Sequence, residues 1–371
     1  MRIGVPSEIK NHEYRVGMIP GSVKELVRAG HEVFVENNAG IGIGKENREY
    51  EAAGAKILPT AAEIFAKADM IVKVKEPQES EYKLLREGQI LFTYLHLAAD
   101  LKQTKALMDS GCVAIAYETV TDAKGGLPLL APMSEVAGRM SIQVGARCLE
   151  KPQGGAGMLL GGVPGVAPAR VVIIGGGVVG TNALWMATGM GARVTVIDKS
   201  VERLHYIDAQ YRGAVTTLYS TYEAIEENVK SADLVIGAVL VHGAAAPKLV
   251  SEAMIKSMHP GAVVVDVAID QGGCFETSQP TSHQNPTFVK HDVVHYCVTN
   301  MPGAVSRTSS FALNNATLPF TMALANKGWK KACQDDAHLA NGLNVCLGKL
   351  TYPAVAEDLN LPYTPLTKLV A

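Results

Sequence analysis

Along the first 120 residues, short apolar runs rich in Val, Ile and Phe alternate with segments whose apolar positions recur every three or four residues. RIGVP, HEVFVE, DMIVKVKEP, QILFTYLHLA and CVAIAYETV read as strands; GSVKELVRAG, TAAEIFAKA, SEYKLLREG and KQTKALMDSG read as helices. Such alternation predicts a parallel sheet with helices on both faces. From Ala131 a long helical pattern follows, PMSEVAGRMSIQVGARCLEK, and then the glycine-rich QGGAGMLLGGVPGVAP. That run precedes a strand instead of opening a helix, so it predicts a turn or a close backbone contact, not a phosphate loop. A second series counts six strands: RVVII, RVTVI, AVTTLYS, DLVIGAVL, AVVVDVAI and VVHYCVT. Beyond Arg307 the chain reads as helical with little β character, returning to cover the first domain. The expected fold is α/β, with two doubly wound parallel-sheet (Rossmann-like) domains separated by an active-site cleft. Residues 1–130 with 307–371 form one domain and 131–306 the other.

The second domain carries the sharper motif. RVVII stops at Gly175, and Gly175, Gly177 and Gly180 stand at the spacing G-x-G-x-x-G that opens a helix. The first glycine permits a tight turn, the second lets a pyrophosphate approach the backbone, and the third lets the helix pack close on the strand. Asp198 closes the next strand at about the 20-residue distance where a carboxylate meets the ribose hydroxyls of NAD. Strand, turn, helix, strand and acid occur together, which favours dinucleotide binding over a glycine turn that serves packing alone.

Composition narrows the partners. A net charge of −2 offers no basic field for nucleic acid, and no apolar run reaches membrane-spanning length. The start, MRIGVPSEIK, lacks the apolar core of a signal peptide. The six cysteines form no C-x-x-C and the histidines no H-E-x-x-H. They point to reduced structural thiols in a cytoplasmic protein and to no metal.

In open α/β sheets ligands sit beyond the carboxyl ends of the strands. In the first domain that rule selects Lys75, after MIVKVK, and His96, after QILFTYLH, with Arg15 in the loop after the first strand. An Arg fork, a Lys charge and a titratable His suit a small carboxylate undergoing proton transfer. Each has a plainer reading: Lys73 and Lys75 as a solvated edge strand, His96 as a satisfied hydrogen-bonding residue, Arg15 as a surface charge. In the second domain the rule selects Asp198, Ser220, Val239 with Leu240, Asp270, and Asn300 with Met301. Asp270, ahead of two glycines, also reads as a turn-forming residue, and Asp266 within the strand as structural.

MRIGVPSEIKNHEYRVGMIP, KVKEP, LFTYLHLAA, PMSEVAGR, GGVPGV, VVIIGGGVVGTNA, DLVIGAVLV, VDVAIDQGGCFE and NMPGAV, in that order, resemble the alanine dehydrogenase family over nearly the whole chain. The resemblance implies NAD-dependent conversion of L-alanine to pyruvate and ammonium, and its reverse. It implies that Arg15 and Lys75 hold the substrate and that His96 and Asp270 are the catalytic pair. For the cofactor it implies Ser134, Val178 and Val179 at the phosphates, Asp198 at the ribose, and Arg203 and Ser220 near the adenine. Val239, Leu240, Val267, Ala268, Ile269, Asp270, Val298, Thr299, Asn300 and Met301 complete the implied cofactor contacts. It implies a homo-oligomer, a hexamer. Two positions depart from the pattern: Arg203 stands where some members have Lys, and Gln279 where some have Arg. Rival readings are a saccharopine-type dehydrogenase for a larger amino acid, the NAD-binding part of a transhydrogenase, and an NAD-sensing module without turnover. Only turnover on a panel of 2-oxo acids separates these readings.

Overall fold

The computed structural model describes residues 1–239 and 246–370, so Leu240, one of the expected cofactor contacts, lies outside the described residues. Two compact units emerge, Met1–Met133 with Gly303–Ala371, and Ser134–Pro302.

In the first unit six parallel strands, β1 (Arg2–Val5), β2 (Glu32–Glu36), β3 (Lys56–Leu58), β4 (Met70–Val72), β5 (Ile90–Thr93) and β6 (Val113–Ala116), stand in the order β3-β2-β1-β4-β5-β6. The central strands read as unbroken apolar runs because helices cover both faces. Val5, Ile71, Leu91 and Ala114 are all buried. Short helices start where the side chains of Thr60 and Asp100 accept from the N–H groups of Glu63 and Gln103.

The region expected to be purely helical contributes two more strands. After the helix Ser306–Asp335, which breaks at Gly328, Leu343–Cys346 pairs antiparallel to β6 and Lys349–Leu350 closes the edge. These strands are four and two residues long, too short to show a period. The three-residue β3 escaped for the same reason.

The second unit has a seven-stranded sheet. Strands β7 (Arg170–Ile174), β8 (Arg193–Asp198), β9 (Thr216–Tyr219), β10 (Leu234–Gly237), β11 (Val263–Asp266), β12 (Thr287–Lys290) and β13 (Val293–Tyr296) lie in the order β12-β13-β11-β10-β7-β8-β9. Without β12, an antiparallel edge strand that the sequence pattern did not suggest, this is the dinucleotide-binding order. The glycine-rich run after the helix Ala131–Cys148 does serve close contacts. A Cβ on Gly155 would lie 2.2 Å from the carbonyl oxygen of Cys148, and one on Gly161 would lie 2.3 Å from that of Met190.

Candidate functional site

Because β1 to β6 run parallel, their carboxyl ends share one edge of the first unit's sheet, and three expected residues lie there. Arg15 is in the loop after β1. Gly17 fixes that loop on the end of β4, since a Cβ there would lie 2.3 Å from the Val72 carbonyl oxygen. The returning helix pins the loop from the other side: Asn314 accepts from the N–H of Ile19 at 2.9 Å and donates to the Gly17 carbonyl at 3.2 Å. Arg15 is no surface charge. It is 3% exposed, and its Nε and Nη2 donate to the two oxygens of Glu13 at 2.7 and 2.5 Å. Burial opposes its charge, but Glu13, with help from Tyr94 and Glu8, outweighs burial and holds the guanidinium above its ordinary value.

Lys73 and Lys75 follow β4, which lies between β1 and β5, so the solvated-edge reading fails for both. Lys73 is fully buried between Glu81 at 2.9 Å and Glu8 at 3.4 Å. The second oxygen of Glu8 accepts from the N–H of Val74 at 2.6 Å, which ties the loop after β1 to the loop after β4. Burial raises the Glu8 carboxyl, and the facing Lys73 opposes that rise. Lys75 differs from Lys73: its ammonium makes no ion pair or hydrogen bond among the described residues. Burial, and after it the charge of Arg15, push it below the ordinary lysine range. Glu13 compensates Arg15, whereas the charges of Glu76 and Glu13 only partly offset the depression of Lys75.

His96 lies three residues past β5, exposed, at φ +50° and ψ +42°. A histidine in the left-handed region is uncommon and costs roughly 1 kcal/mol or more. The ring of Tyr94 lies parallel to the imidazole, centroids 5.9 Å apart, and its hydroxyl donates to the Leu129 carbonyl at 2.6 Å. Arg15 and Glu118 both act on the Tyr94 hydroxyl, which burial pushes up. Tyr94 and Glu13 therefore join the expected set. Neither had a spacing signal, because both act by facing a neighbour across the fold.

The second unit contains the glycine fingerprint, and each glycine has a different steric need. Gly175 has φ +103°, and a Cβ on it would lie 2.6 Å from the Ala238 carbonyl oxygen. Around Gly177 nothing comes within 4 Å of such an atom. On Gly180 it would fall 1.7 Å from the carbonyl oxygen of Gly175, so the helix Val178–Gly189 lies against the turn with no room for a side chain. Val178 and Val179 open that helix, where N–H groups have no partner within the helix. The helix Ala131–Cys148 crosses close by at Gly138, whose Cβ would lie 2.2 Å from the Val179 carbonyl oxygen. Ser134 is in that helix's first turn.

Asp198 ends β8. One of its oxygens accepts from the N–H of Gly176 at 2.6 Å and the other from that of Ser200 at 2.7 Å. Arg203 donates to the Gly176 carbonyl at 2.5 Å and to the Thr181 hydroxyl, which places its charge beside the same turn. Ser220 directly follows β9, and Val239 lies two residues past β10.

Asp270 does not end a strand, as the sequence pattern suggested. β11 stops at Asp266, and Asp270 lies exposed in the turn Ile269–Gln271. Asp266 is fully buried beneath it and accepts from the N–H groups of Ala268, Cys274 and Phe275 and from the Ser278 hydroxyl at 2.6 Å. The segment Val267–Asp270 thus lies on a carboxylate hub. Val298 to Met301 follow β13, with Val298 and Met301 buried and Thr299 exposed. Two groups result: Arg15, Lys75 and His96 in the first unit, and the fingerprint, Asp198 and Asp270 in the second.

Comparison with known proteins matches the description "Alanine dehydrogenase/PNT, N-terminal domain" to residues 4–137 and "Alanine dehydrogenase/PNT, C-terminal domain" to residues 141–353. The alanine dehydrogenase of Halomonas elongata is 61% identical over 370 residues, covering 100% of both chains. That of Methanococcus maripaludis is 58% identical over 99% of each. A solved L-alanine dehydrogenase superposes with a TM-score of 0.94 at 53% identity, all of both chains covered. The transhydrogenase of Sinorhizobium meliloti shares the fold, with a TM-score of 0.83 at 23% identity over 95% of this chain and 100% of its own.

Proposed function

Because the chain belongs to the alanine dehydrogenase/PNT family and functions as an alanine dehydrogenase, we propose that it uses NAD to convert L-alanine and water to pyruvate and ammonium, and runs the reverse amination. The observation that carries the residue assignment is the grouping of Arg15, Lys75, Tyr94 and His96 at the carboxyl edge of one parallel sheet. The open space at Gly177, the helix start at Val178 and the Asp198 carboxylate fit a dinucleotide with an unmodified ribose. Those residues would hold the dinucleotide, which when bound would supply the hydride acceptor for the oxidation.

Arg15 and Lys75 hold the substrate carboxylate, Arg15 by direction and Lys75 by charge. The oxidised substrate is an iminium. His96 takes the proton of the water that attacks it and returns one to the leaving ammonia, so it both accepts and donates within one turnover. Asp270 supplies negative charge that favours the cationic intermediate. Ser134, Arg203, Ser220, Val239 and Met301 contribute to the cofactor site. The protein works in the cytoplasm as a homo-oligomer, a hexamer on the family pattern. Six buried, unpaired cysteines support the reducing compartment. Exposed Leu159, Val163, Val166 and Trp185 support burial against further subunits.

The deciding assay mixes the protein with NADH, ammonium and a panel of 2-oxo acids. Ammonium-dependent oxidation of NADH with pyruvate is the expected result, and none with pyruvate overturns the reading. A preference for larger 2-oxo acids instead indicates a saccharopine-type specificity.

Two further outcomes follow from the charges. Lys75 is cationic at low pH and neutral above its depressed pKa, so its hold on a carboxylate fades as pH rises, sooner than for an ordinary lysine. KM for pyruvate should climb on the alkaline side while KM for NADH stays level. Lys75→Gln should start from a higher KM and lack that climb. Asp198→Ala removes both the ribose acceptor and the bond to Gly176, and it leaves Arg203 beside the turn. The NADP-to-NAD ratio of kcat/KM should rise, and an unchanged ratio removes Asp198 from the ribose.

A further inference from the structure

We propose that Glu118 is the positioning residue for His96, holding the peptide that aims the imidazole; the proposal rests on His96 being the acid/base. β5 and β6 pair in register at Thr93 and Ala116, so two residues on, Leu95 and Glu118 come opposite one another. There the strands have ended and the peptide of His96 has turned left-handed, a conformation that residues with side chains rarely take without support. Glu118 supplies the support. Its Oε1 accepts from the N–H of His96 at 2.6 Å and from that of Leu95 at 3.1 Å, and its Oε2 accepts again from Leu95 at 3.2 Å. On the other side of the same peptide, the buried Gln103 donates to the Leu95 carbonyl at 2.8 Å.

With its backbone gripped from both sides and Tyr94 parallel to its ring, His96 has its Cα fixed before any ligand arrives, which limits where its imidazole can reach. The turn bearing Glu118 is itself anchored, for the Asn344 side chain on the late antiparallel strand donates to the Thr119 hydroxyl at 2.7 Å. Glu118 thus acts through two backbone N–H groups and needs no contact with substrate.

The role is geometric, and one oxygen takes both N–H groups. Glutamine, which keeps that oxygen at the same reach, should therefore preserve the bond to His96 and the shorter bond to Leu95, losing only the longer contact of Oε2. Aspartate keeps the charge but falls one methylene short. In the full-length enzyme Glu118→Ala is expected to lower kcat about 10²-fold, the scale of a misplaced catalytic group. The Kd for NADH, read by its fluorescence, should stay at the parent value. Glu118→Gln should restore most of the rate and Glu118→Asp little of it. In a His96→Ala background the alanine change should have no further effect, because the two residues act as one unit. Near-parent kcat in Glu118→Ala, an equal loss in the His96→Ala background, or aspartate outperforming glutamine would each overturn the proposal. If the alanine variant does not fold, the glutamine and aspartate pair and the aspartate cycle with His96→Ala decide alone. Full activity of His96→Ala itself would instead remove the acid/base assignment, a separate failure.

Discussion

Asp270→Asn is expected to bind NADH as the parent does and to lose about 10²-fold or more in kcat, the scale of removing a preorganised charge from where cationic charge develops. The structure separates the charge at 270 from the bonds that Asp266 makes. Asp270 is exposed in a short turn, and the bonds that shape its loop converge on Asp266 below it. Gly272 and Gly273 complete the turn at φ +91° and +81°, and a Cβ on Gly273 would lie 2.4 Å from the Asp266 carboxylate. Asparagine at 270 leaves all of that in place. It has the shape of the carboxylate without its charge, so the reaction rate is what should change. A variant with unaltered kcat would reduce Asp270 to a turn former. Matched loss of NADH affinity and kcat would instead assign it to the cofactor.

How much of this the sequence discloses depends on the range over which each constraint acts. The two alternating patterns disclose two doubly wound sheets because an apolar run and a helix repeat are each local. The fingerprint glycines are legible for the same reason: the turn at Gly175, the open approach at Gly177 and the contact at Gly180 all involve residues within a few positions of one another, Ala238 excepted. Lys73 is the opposite case. Taken alone it suggests a solvated strand, because the carboxylates that enclose it come from Glu8 on the loop after β1 and Glu81 on the short helix Glu79–Tyr82. Glu118, Tyr94 and Glu13 are likewise silent until β5 and β6 are paired and the loop after β1 is laid on β4. The pair Leu343–Cys346 and Lys349–Leu350 escapes because four residues buried on every side carry no period, and only the sheet edge at β6 makes them strands. Strand ends mislead as well: reading VDVAID as continuous puts Asp270 at the tip, whereas the buried Asp266 ends the strand and turns the chain.

The fingerprint also predicts that two of its glycines fail in opposite ways when a methyl group is added. Gly180→Ala places an atom 1.7 Å from the Gly175 carbonyl oxygen and 3.3 Å from the side chain of Ile173. Real Cβ atoms do not approach a backbone oxygen so closely, and neither partner is a flexible side-chain end, so the helix Val178–Gly189 must move off the strand. Overpacking of this kind costs about 1–3 kcal/mol and more where the backbone has to shift. Because the helix start moves with it, Gly180→Ala should lower Tm and also weaken NADH binding. Gly177→Ala meets no atom within 4 Å, and its φ of −68° is open to any residue. Its Tm without ligand should match the parent or rise slightly, since alanine restricts the unfolded chain. The same empty space is where a pyrophosphate would approach, so NADH affinity should drop by about tenfold or more as the backbone is shielded from the phosphates. Thermal unfolding with and without NADH separates the two: Gly177→Ala should lose the ligand-induced rise in Tm while keeping the unliganded value. If Gly177→Ala binds NADH as tightly as the parent, the space at Gly177 does not receive the cofactor.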